Sequence, residues 1–171
     1  MEKLLKIDVV VANITKLDVE CIVNAANPSL LGGGGVDGAI HFAAGRQLYE
    51  ECKTLGGCEV GQCKISDAYK LPCKKIIHAV GPIWKGGTHD EDTLLASCYK
   101  SSLKIASEYG LKSIAFPNIS TGVYRFPRER AAKIAIDSIS ECITNNIYEG
   151  NVIICCYSDG DADIYNKLLE G

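Results

Sequence analysis

The chain has 171 residues, of which 47% are apolar and 23% charged, and its formal net charge at pH 7 is −3. This length and composition fit a single domain, residues 1–171, with one sizeable core. The slightly acidic balance excludes a basic footprint for the nucleic-acid backbone, so nucleic acid is not expected as a partner. Because no apolar run approaches the roughly 20 residues that cross a bilayer, we expect a soluble, cytoplasmic protein without a membrane partner.

The apolar pattern predicts strands that alternate with helices. Strands are predicted at residues 4–11, 21–23, 61–69, 74–81, 113–117 and 152–156. Helices are predicted at residues 37–55, from the acids at 90–92 to Gly110, after Pro127, and at 162–169. Strands that are apolar on both faces and flanked by helices indicate a three-layer α/β domain around a largely parallel sheet.

The most unusual stretch is residues 24–45, in which four consecutive glycines follow Asn24 and Asn27, and Asp37 stands where a helix should begin. Glycines let bare backbone approach a ligand, although each loses much backbone entropy on ordering. The N–H groups of a helix start suit an anion. A carboxylate beside such an anion site indicates chemistry as well as binding. The alternative is a mobile surface loop in which Asp37 is an ordinary helix cap.

A second special loop, residues 118–126, also lies between a strand and a helix, and Gly122 exposes its backbone N–H groups. In parallel sheets, ligands lie beyond the carboxyl ends of the strands. Asn13, Tyr157 and both loops follow strands in this way, and two such loops facing each other would suit a diphosphate. Neither loop matches G-x-G-x-x-G or the P-loop, so phosphoryl transfer from ATP is not expected. Ser120 also lacks the G-x-S-x-G elbow of a serine nucleophile.

Nine cysteines are present, and no two of them form a C-x-x-C pair. Their positions within apolar runs favour small buried hydrophobes in a reducing compartment. The alternative is zinc binding by the cysteines of residues 52–73. His41, His78 and His89 are not spaced as metal ligands, and packing or surface roles are expected for each.

Several long motifs resemble the macrodomain family, and specifically its MacroD-type branch. In chain order they are residues 22–27 (IVNAAN), 30–41 (LLGGGGVDGAIH), 55–58 (LGGC), 77–82 (IHAVGP) and 116–124 (FPNISTGVY). The closing residues 152–157 (VIICCY) are similar to the bacterial O-acetyl-ADP-ribose deacetylases of that branch. The resemblance covers almost the whole chain.

This resemblance implies an α/β/α sandwich with a mixed, largely parallel sheet that binds ADP-ribose and its esters across the carboxyl edge. It implies no cofactor and no metal, and mono-ADP-ribosylated proteins as further partners. Asn27 and Asp37 match the pair that the family associates with hydrolysis at the distal ribose. The other implied ligand-binding positions are Asn13, Ile14, Asn24, Gly33, Gly34, Gly35, Val36, Ser120, Thr121, Gly122, Val123, Tyr124 and Tyr157.

Within this set, the resemblance implies that Tyr157 packs on the adenine, that residues 120–124 hold the diphosphate, and that Tyr124 lies beside the distal ribose. Asn13 stands where the family commonly has an aspartate that accepts a hydrogen bond from the adenine amino group. An asparagine oxygen accepts the same bond without charge assistance. Asn118 replaces a small residue of the family pattern. Arg125 replaces a glycine, and it either helps to hold the diphosphate or is solvated at the tip of its loop.

These features predict a hydrolase that cleaves an ester at the distal ribose, in O-acetyl-ADP-ribose or at a mono-ADP-ribosylated acidic side chain. Asn27 would fix the sugar, and Asp37 would orient or deprotonate the attacking water. One alternative is a reader module that binds ADP-ribose without acting on it, although family readers often lack an acid at the position of Asp37. The other is a phosphatase acting on ADP-ribose 1″-phosphate.

Overall fold

The computed structural model describes residues 7–171, and the first residues of the predicted strand at 4–11 lie outside this range. Six strands form one sheet in the order β1-β6-β5-β2-β4-β3. All neighbouring pairs are parallel except β3 with β4, which confirms the mixed, largely parallel sheet. The strands are β1 (Ile7–Val11), β2 (Cys21–Ala26), β3 (Cys63–Asp67), β4 (Lys75–Val80), β5 (Ser113–Phe116) and β6 (Asn151–Cys156).

Five helices and one short 3-10 turn complete the described fold. They are the 3-10 turn (Ile14–Lys16), α1 (Gly35–Ala44), α2 (Arg46–Leu55), α3 (Glu91–Glu108), α4 (Arg128–Thr144) and α5 (Asp159–Glu170). Alternate strand residues pack on opposite sides of the sheet, because successive side chains of a strand point to opposite faces. One core lies between the sheet and α3, α4 and α5, and the other between the sheet and α1 and α2. The molecule is therefore an α/β/α sandwich.

The predicted single helix at residues 37–55 is wrong, because the chain breaks at Gly45 into α1 and α2. Gly45 has φ 94°, and its N–H closes α1 on the carbonyl of His41 at 3.1 Å. The apolar spacing of four residues continues across the break, since both helices bury their faces against the same side of the sheet. Periodicity alone therefore does not reveal the interruption.

The start of α1 also differs from the prediction. The helix begins at Gly35, two residues before Asp37, and its N-cap is Gly34, which forms no side-chain capping bond. Asp37 lies in the first turn and is buried, so it is not the helix cap. In addition, β2 extends to Ala26, which places Asn24 inside the sheet and not in the loop that follows it.

All nine cysteines are free thiols, and seven of them are buried. Within residues 7–171, no three His, Cys, Asp or Glu side chains are grouped as a metal site would need. The same range contains no helix with the length and apolar character to cross a membrane.

Candidate functional site

The segments singled out by the sequence meet at one edge of the sheet. The strands β1, β6, β5 and β2 are parallel neighbours, so their carboxyl ends lie side by side. Asn13 follows β1 and Tyr157 follows β6. Residues 118–126, here called the serine loop, follow β5, while residues 32–34, here called the glycine loop, come after β2 and lead into α1. The edge thus presents a continuous row of candidate binding groups.

The glycine loop folds tightly onto the first turn of α1. A Cβ added to Gly38 would lie 2.4 Å from the carbonyl oxygen of Gly33, so this close approach requires glycine. A Cβ at Gly33 would lie 3.3 Å from Asp37 Oδ2 and 3.4 Å from Asn27 Nδ2. Asn27 and Asp37 therefore flank the same exposed glycine. The N–H groups of the first helical turn have no intrahelical acceptor and are available to an anion here.

Asn27 supports this loop from the other side. Its Nδ2 donates to the carbonyl of Gly32 at 2.9 Å. Its Oδ1 accepts from the backbone N–H of Ser29 at 3.0 Å and from the Ser29 hydroxyl at 2.5 Å. An amide nitrogen carries two hydrogens, so one remains for a ligand hydroxyl.

Asp37 is the strongest candidate for chemistry at this edge. The residue is 5% exposed, and Oδ1 accepts a hydrogen bond from Asn24 Nδ2 at 2.8 Å. His41 Nε2 lies 3.5 Å from the same oxygen. Burial raises the pKa of Asp37, while the Asn24 hydrogen bond and the charge of His41 act in the opposite direction. A carboxylate with a raised pKa beside an open loop is suited to general-base catalysis.

Asn24 lies deeper than the sequence suggested. It is fully buried in β2, and its amide contacts Asp37 and also His78 Nδ1, at 3.1 Å. His78 is the residue that sequence reasoning passed over, since it was assigned only a packing or surface role. Its position within the apolar run of β4 could have indicated a polar partner, because burying an imidazole without a hydrogen bond is costly.

The serine loop is held by backbone hydrogen bonds. Phe126 N–H donates to the carbonyl of Ser120 at 2.9 Å, and Arg125 N–H donates to that of Gly122 at 3.0 Å. Trp84 N–H, from the loop after β4, donates to the carbonyl of Tyr124 at 2.8 Å. In the described part of the chain, no protein acceptor binds the N–H of Gly122. The tip of this loop is therefore open to an anion.

Two non-glycine residues of the serine loop have left-handed backbone conformations, Ser120 with φ 67° and Arg125 with φ 62°. Such conformations are uncommon for residues with a Cβ and cluster at functional sites. The Ser120 hydroxyl is buried and has no hydrogen-bond partner among residues 7–171. A Cβ added to Gly81 would lie 2.2 Å from the Ser120 hydroxyl oxygen, so a glycine at position 81 leaves room for this hydroxyl.

The far end of the edge is formed by Asn13 and Tyr157. Asn13 Oδ1 accepts from the N–H of Thr15 at 3.0 Å and from its hydroxyl at 2.6 Å, which caps the 3-10 turn. Tyr157 is 95% exposed and presents an aromatic face to solvent. The side chain of Ile14 is buried, so only its backbone is placed to meet a ligand.

A cavity of about 600 Å³ lies elsewhere, at the opposite edge of the sheet, near the amino ends of β5 and β6. Its lining includes Lys112, Tyr148, Glu149 and Asn151, and none of the residues described above. The Tyr148 hydroxyl there already donates to the carbonyl of Leu111 at 2.9 Å. The candidate site at the carboxyl edge is instead formed by backbone N–H groups and a few side chains.

A sequence model of the family described as Macro domain matches residues 23–135. The chain is a macrodomain. It is 56% identical over 158 residues to a macro domain-containing protein of Chlorobaculum tepidum, with 92% of each chain covered. It is 51% identical over 169 residues to a Pantoea vagans protein named O-acetyl-ADP-ribose deacetylase 1, with 96% of this chain and 99% of that protein covered.

A solved structure of the Oceanobacillus iheyensis macrodomain with ADP has a TM-score of 0.91 and 43% identity to this chain. The match covers 95% of this macrodomain and 88% of the other chain. These comparisons confirm the family and the fold that the sequence motifs predicted.

Proposed function

We propose that this macrodomain binds ADP-ribose and hydrolyses an ester at its distal ribose. The observation that carries the proposal is the Asp37 carboxylate. One of its oxygens is fixed by Asn24, and the other lies beside Gly33 and Asn27 at the foot of the open glycine loop. A reader module has no need of a buried carboxylate at this place, whereas hydrolysis needs a base that addresses a water.

The bound pose follows from the order of groups along the edge. Adenine would stack on Tyr157, and Asn13 would contact the base. The diphosphate would lie along the serine loop and the N-terminus of α1, where N–H groups and the helix dipole favour negative charge. The distal ribose would then reach Asn27 and Asp37. The ADP complex of the Oceanobacillus relative, which is 43% identical, supports this choice of ligand.

In the proposed reaction, Asp37 takes a proton from a water whose oxygen attacks the acetyl carbonyl carbon of O-acetyl-ADP-ribose. N–H groups of the glycine loop would stabilise the oxyanion of the tetrahedral intermediate. The bond between the acyl carbon and the ribose oxygen then breaks, and the ribose oxygen takes the proton that Asp37 holds. ADP-ribose leaves together with acetic acid, which ionises to acetate. Removal of mono-ADP-ribose from an acidic side chain would use the same ester chemistry.

The name of the Pantoea relative supports the acetyl ester as substrate, because the similarity extends over nearly its full length. Nine free thiols support a reducing compartment such as the cytoplasm as the place of the reaction.

The decisive experiment measures acetate release from O-acetyl-ADP-ribose by the wild-type protein and by Asp37→Ala. Loss of a general base lowers the rate by about 10²–10⁴-fold. We expect a loss of that size with the dissociation constant of ADP-ribose largely unchanged. Asp163→Ala, at an exposed aspartate of α5, is the matched control and should retain full activity.

Three results would overturn the proposal. Full activity in Asp37→Ala would exclude this residue as the base. A protein that binds ADP-ribose but releases neither acetate from O-acetyl-ADP-ribose nor ADP-ribose from a modified protein would instead be a reader. Release of phosphate from ADP-ribose 1″-phosphate, but not of acetate, would indicate the phosphatase.

A further inference from the structure

A line of polar side chains extends from Asp37 into the core between the sheet and α1–α2. Asn24 and His78 are fully buried, and Ser66 and Asp37 are nearly so. Asn24 on β2 and His78 on β4 are direct partners in the parallel register, and Ser66 lies on the adjacent strand β3. Burying polar groups is costly unless they are hydrogen-bonded to one another.

The chemistry of the groups determines the direction of every hydrogen bond in this line. An ionised carboxylate only accepts, so Asn24 must turn its Nδ2 towards Asp37 Oδ1, 2.8 Å away. The same nitrogen is 3.1 Å from His78 Nδ1, which therefore accepts its second hydrogen and carries no proton. His78 Nε2 then carries the proton and donates to Ser66 Oγ at 2.8 Å. Ser66 in turn donates to the carbonyl of Asp67 at 3.0 Å.

This arrangement requires a neutral imidazole, and the environment of His78 provides it. Burial and the charge of His41 lower the pKa of His78 to about 3, so the ring stays neutral at physiological pH. Both hydrogens of the Asn24 amide are thereby used, one on His78 and one on Asp37. The Asn24 oxygen has no hydrogen-bond partner among residues 7–171. Burying an unpaired oxygen is costly, so the amide is oriented by the two contacts of its nitrogen and not by its oxygen.

We propose that Asn24 and His78 are positioning residues, which hold Asp37 Oδ1 in place so that Oδ2 faces the glycine loop, with Ser66 holding His78. This inference rests on the proposed function. The structure thereby assigns Asn24, which the family pattern placed among the ligand contacts, a role behind the carboxylate. The other titratable groups that face this region are His41 on α1, 3.5 Å from Asp37, and Cys52 on α2, whose Sγ is 3.8 Å from His78 Nε2.

The proposal predicts coupled changes in orientation and titration. In His78→Leu, Asn24 loses the acceptor that orients it, and the hydrogen bond to Asp37 weakens. Because that bond lowers the pKa of Asp37, the pKa should rise. We expect kcat to fall about tenfold with the dissociation constant of ADP-ribose unchanged, since a misplaced catalytic group loses rate and not ligand affinity. The acidic limb of the pH–rate profile should move to higher pH.

His78→Gln is the conservative variant, because its amide oxygen offers an acceptor to Asn24. It should restore part of the rate and move the acidic limb back towards the wild-type position. Ser66→Ala removes only the outermost hydroxyl and should give a smaller change in the same direction. Ser102→Ala is the matched control, since Ser102 is a fully buried serine of α3 that donates to the carbonyl of Cys98, away from this line.

Titration of Asp37 by ¹³C NMR of aspartate-labelled protein tests the proposal independently of turnover. The Asp37 signal is assigned by its absence from Asp37→Ala. A pKa that rises in His78→Leu and in Ser66→Ala, and returns in His78→Gln, supports the positioning role even if the wild-type protein releases no acetate. An Asp37 pKa that is the same in folded His78→Leu, Ser66→Ala and wild-type protein overturns it, whatever the fate of the proposed function. If His78→Leu does not fold, the comparison of Ser66→Ala with the wild-type protein carries the test, and an unchanged Asp37 pKa there overturns the proposal.

Discussion

The glycine loop and the serine loop both offer backbone to a ligand, yet they are supported in different ways. The glycine loop rests on the first turn of α1, and the carboxylate beneath it is bound to Asn24 and so to a line of buried side chains that reaches β3. The serine loop is held mainly by backbone hydrogen bonds to itself and to Trp84. The loop beside the proposed base is thus supported by buried side chains of the sheet, and the loop proposed to hold the diphosphate by backbone hydrogen bonds.

The residues that support the serine loop include Glu91, which acts through the segment after Trp84. The Trp84 ring packs on Phe126 with 4.8 Å between ring centroids. The segment that follows Trp84 is fastened by the Glu91 carboxylate, which accepts from the backbone N–H groups of Lys85, Gly87 and His89. A buried glutamate at the start of α3 therefore organises the neighbour on which the serine loop depends.

The largest expected effect comes from a side chain added at the close contact between Gly38 of α1 and the glycine loop. In Gly38→Ala, the new Cβ would meet the Gly33 carbonyl oxygen at 2.4 Å, so the loop must move away from α1. A displacement approaching 1 Å near reacting groups costs roughly 10²-fold in rate. We expect kcat/KM for acetate release to fall by about that factor, measured by steady-state kinetics.

The matched control is Gly160→Ala, also in the first turn of a helix. There the added Cβ would have Ser158 Oγ as its nearest neighbour at 3.9 Å, which is ordinary contact. It should leave kcat/KM unchanged. Wild-type rates in Gly38→Ala would show that the glycine loop tolerates displacement and is not rigidly supported.

The second effect is on stability and concerns the support of the serine loop. Although burial opposes ionisation of Glu91, hydrogen bonds from the N–H groups of Gly87, Lys85 and His89 lower its pKa to about 2. A carboxyl whose folded pKa is depressed stabilises the fold above its unfolded pKa of about 4.3, and this contribution is lost as the pH falls towards 2. Glu91→Gln should therefore lower Tm at pH 7.

The pH dependence distinguishes this charge effect from a packing defect. The difference in Tm between wild type and Glu91→Gln, measured by thermal unfolding, should be constant near neutral pH and shrink below about pH 4.3. ADP-ribose affinity should also decrease, because the serine loop loses its neighbour. A Tm difference that does not change down to pH 2.5 would refute the charge-based explanation.

The smallest effect concerns Arg125 at the tip of the serine loop. Its φ of 62° costs a residue with a Cβ about 1–2 kcal/mol. A glycine avoids this strain, but its greater backbone freedom in the unfolded state offsets part of the gain. Arg125→Gly should therefore raise the free energy of unfolding by about 1 kcal/mol, or Tm by about 2–4 °C. The measurement is denaturant or thermal unfolding.

Arg125→Ala is the matched comparison, since it removes the same side chain but keeps the Cβ. It should not gain stability, and equal gains in both variants would contradict the backbone explanation. The same pair separates the two roles considered for Arg125. Equal losses of ADP-ribose affinity would indicate that the guanidinium holds the diphosphate, and unchanged affinity that it is solvated.

The two loops and Asp37 could be chosen as candidates from the sequence because their signals are local. Four consecutive glycines, an aspartate near a helix start, and a second loop with Gly122 were sufficient to predict both loops and Asp37. The break at Gly45 was missed because the apolar spacing continues across it. The roles of Gly38 and Gly81 were missed for another reason. Gly38 leaves room for the carbonyl oxygen of Gly33 on the facing side of a loop, and Gly81 leaves room for the hydroxyl of Ser120, which is distant in the chain.

The sequence alone therefore determined the family, the layered α/β architecture, and the chemical groups available at the carboxyl edge, because periodicity and motifs are properties of neighbouring residues. Only the tertiary structure decided what stands behind Asp37. Asn24 and His78 are 54 positions apart, and their contact depends on the pairing of β2 with β4, in which they are direct partners. Register sets which side chains meet across a sheet, and it is determined by the packing of the whole core. Asn24, which the family pattern placed among the ligand contacts, lies instead behind the carboxylate of Asp37, to which it donates a hydrogen bond.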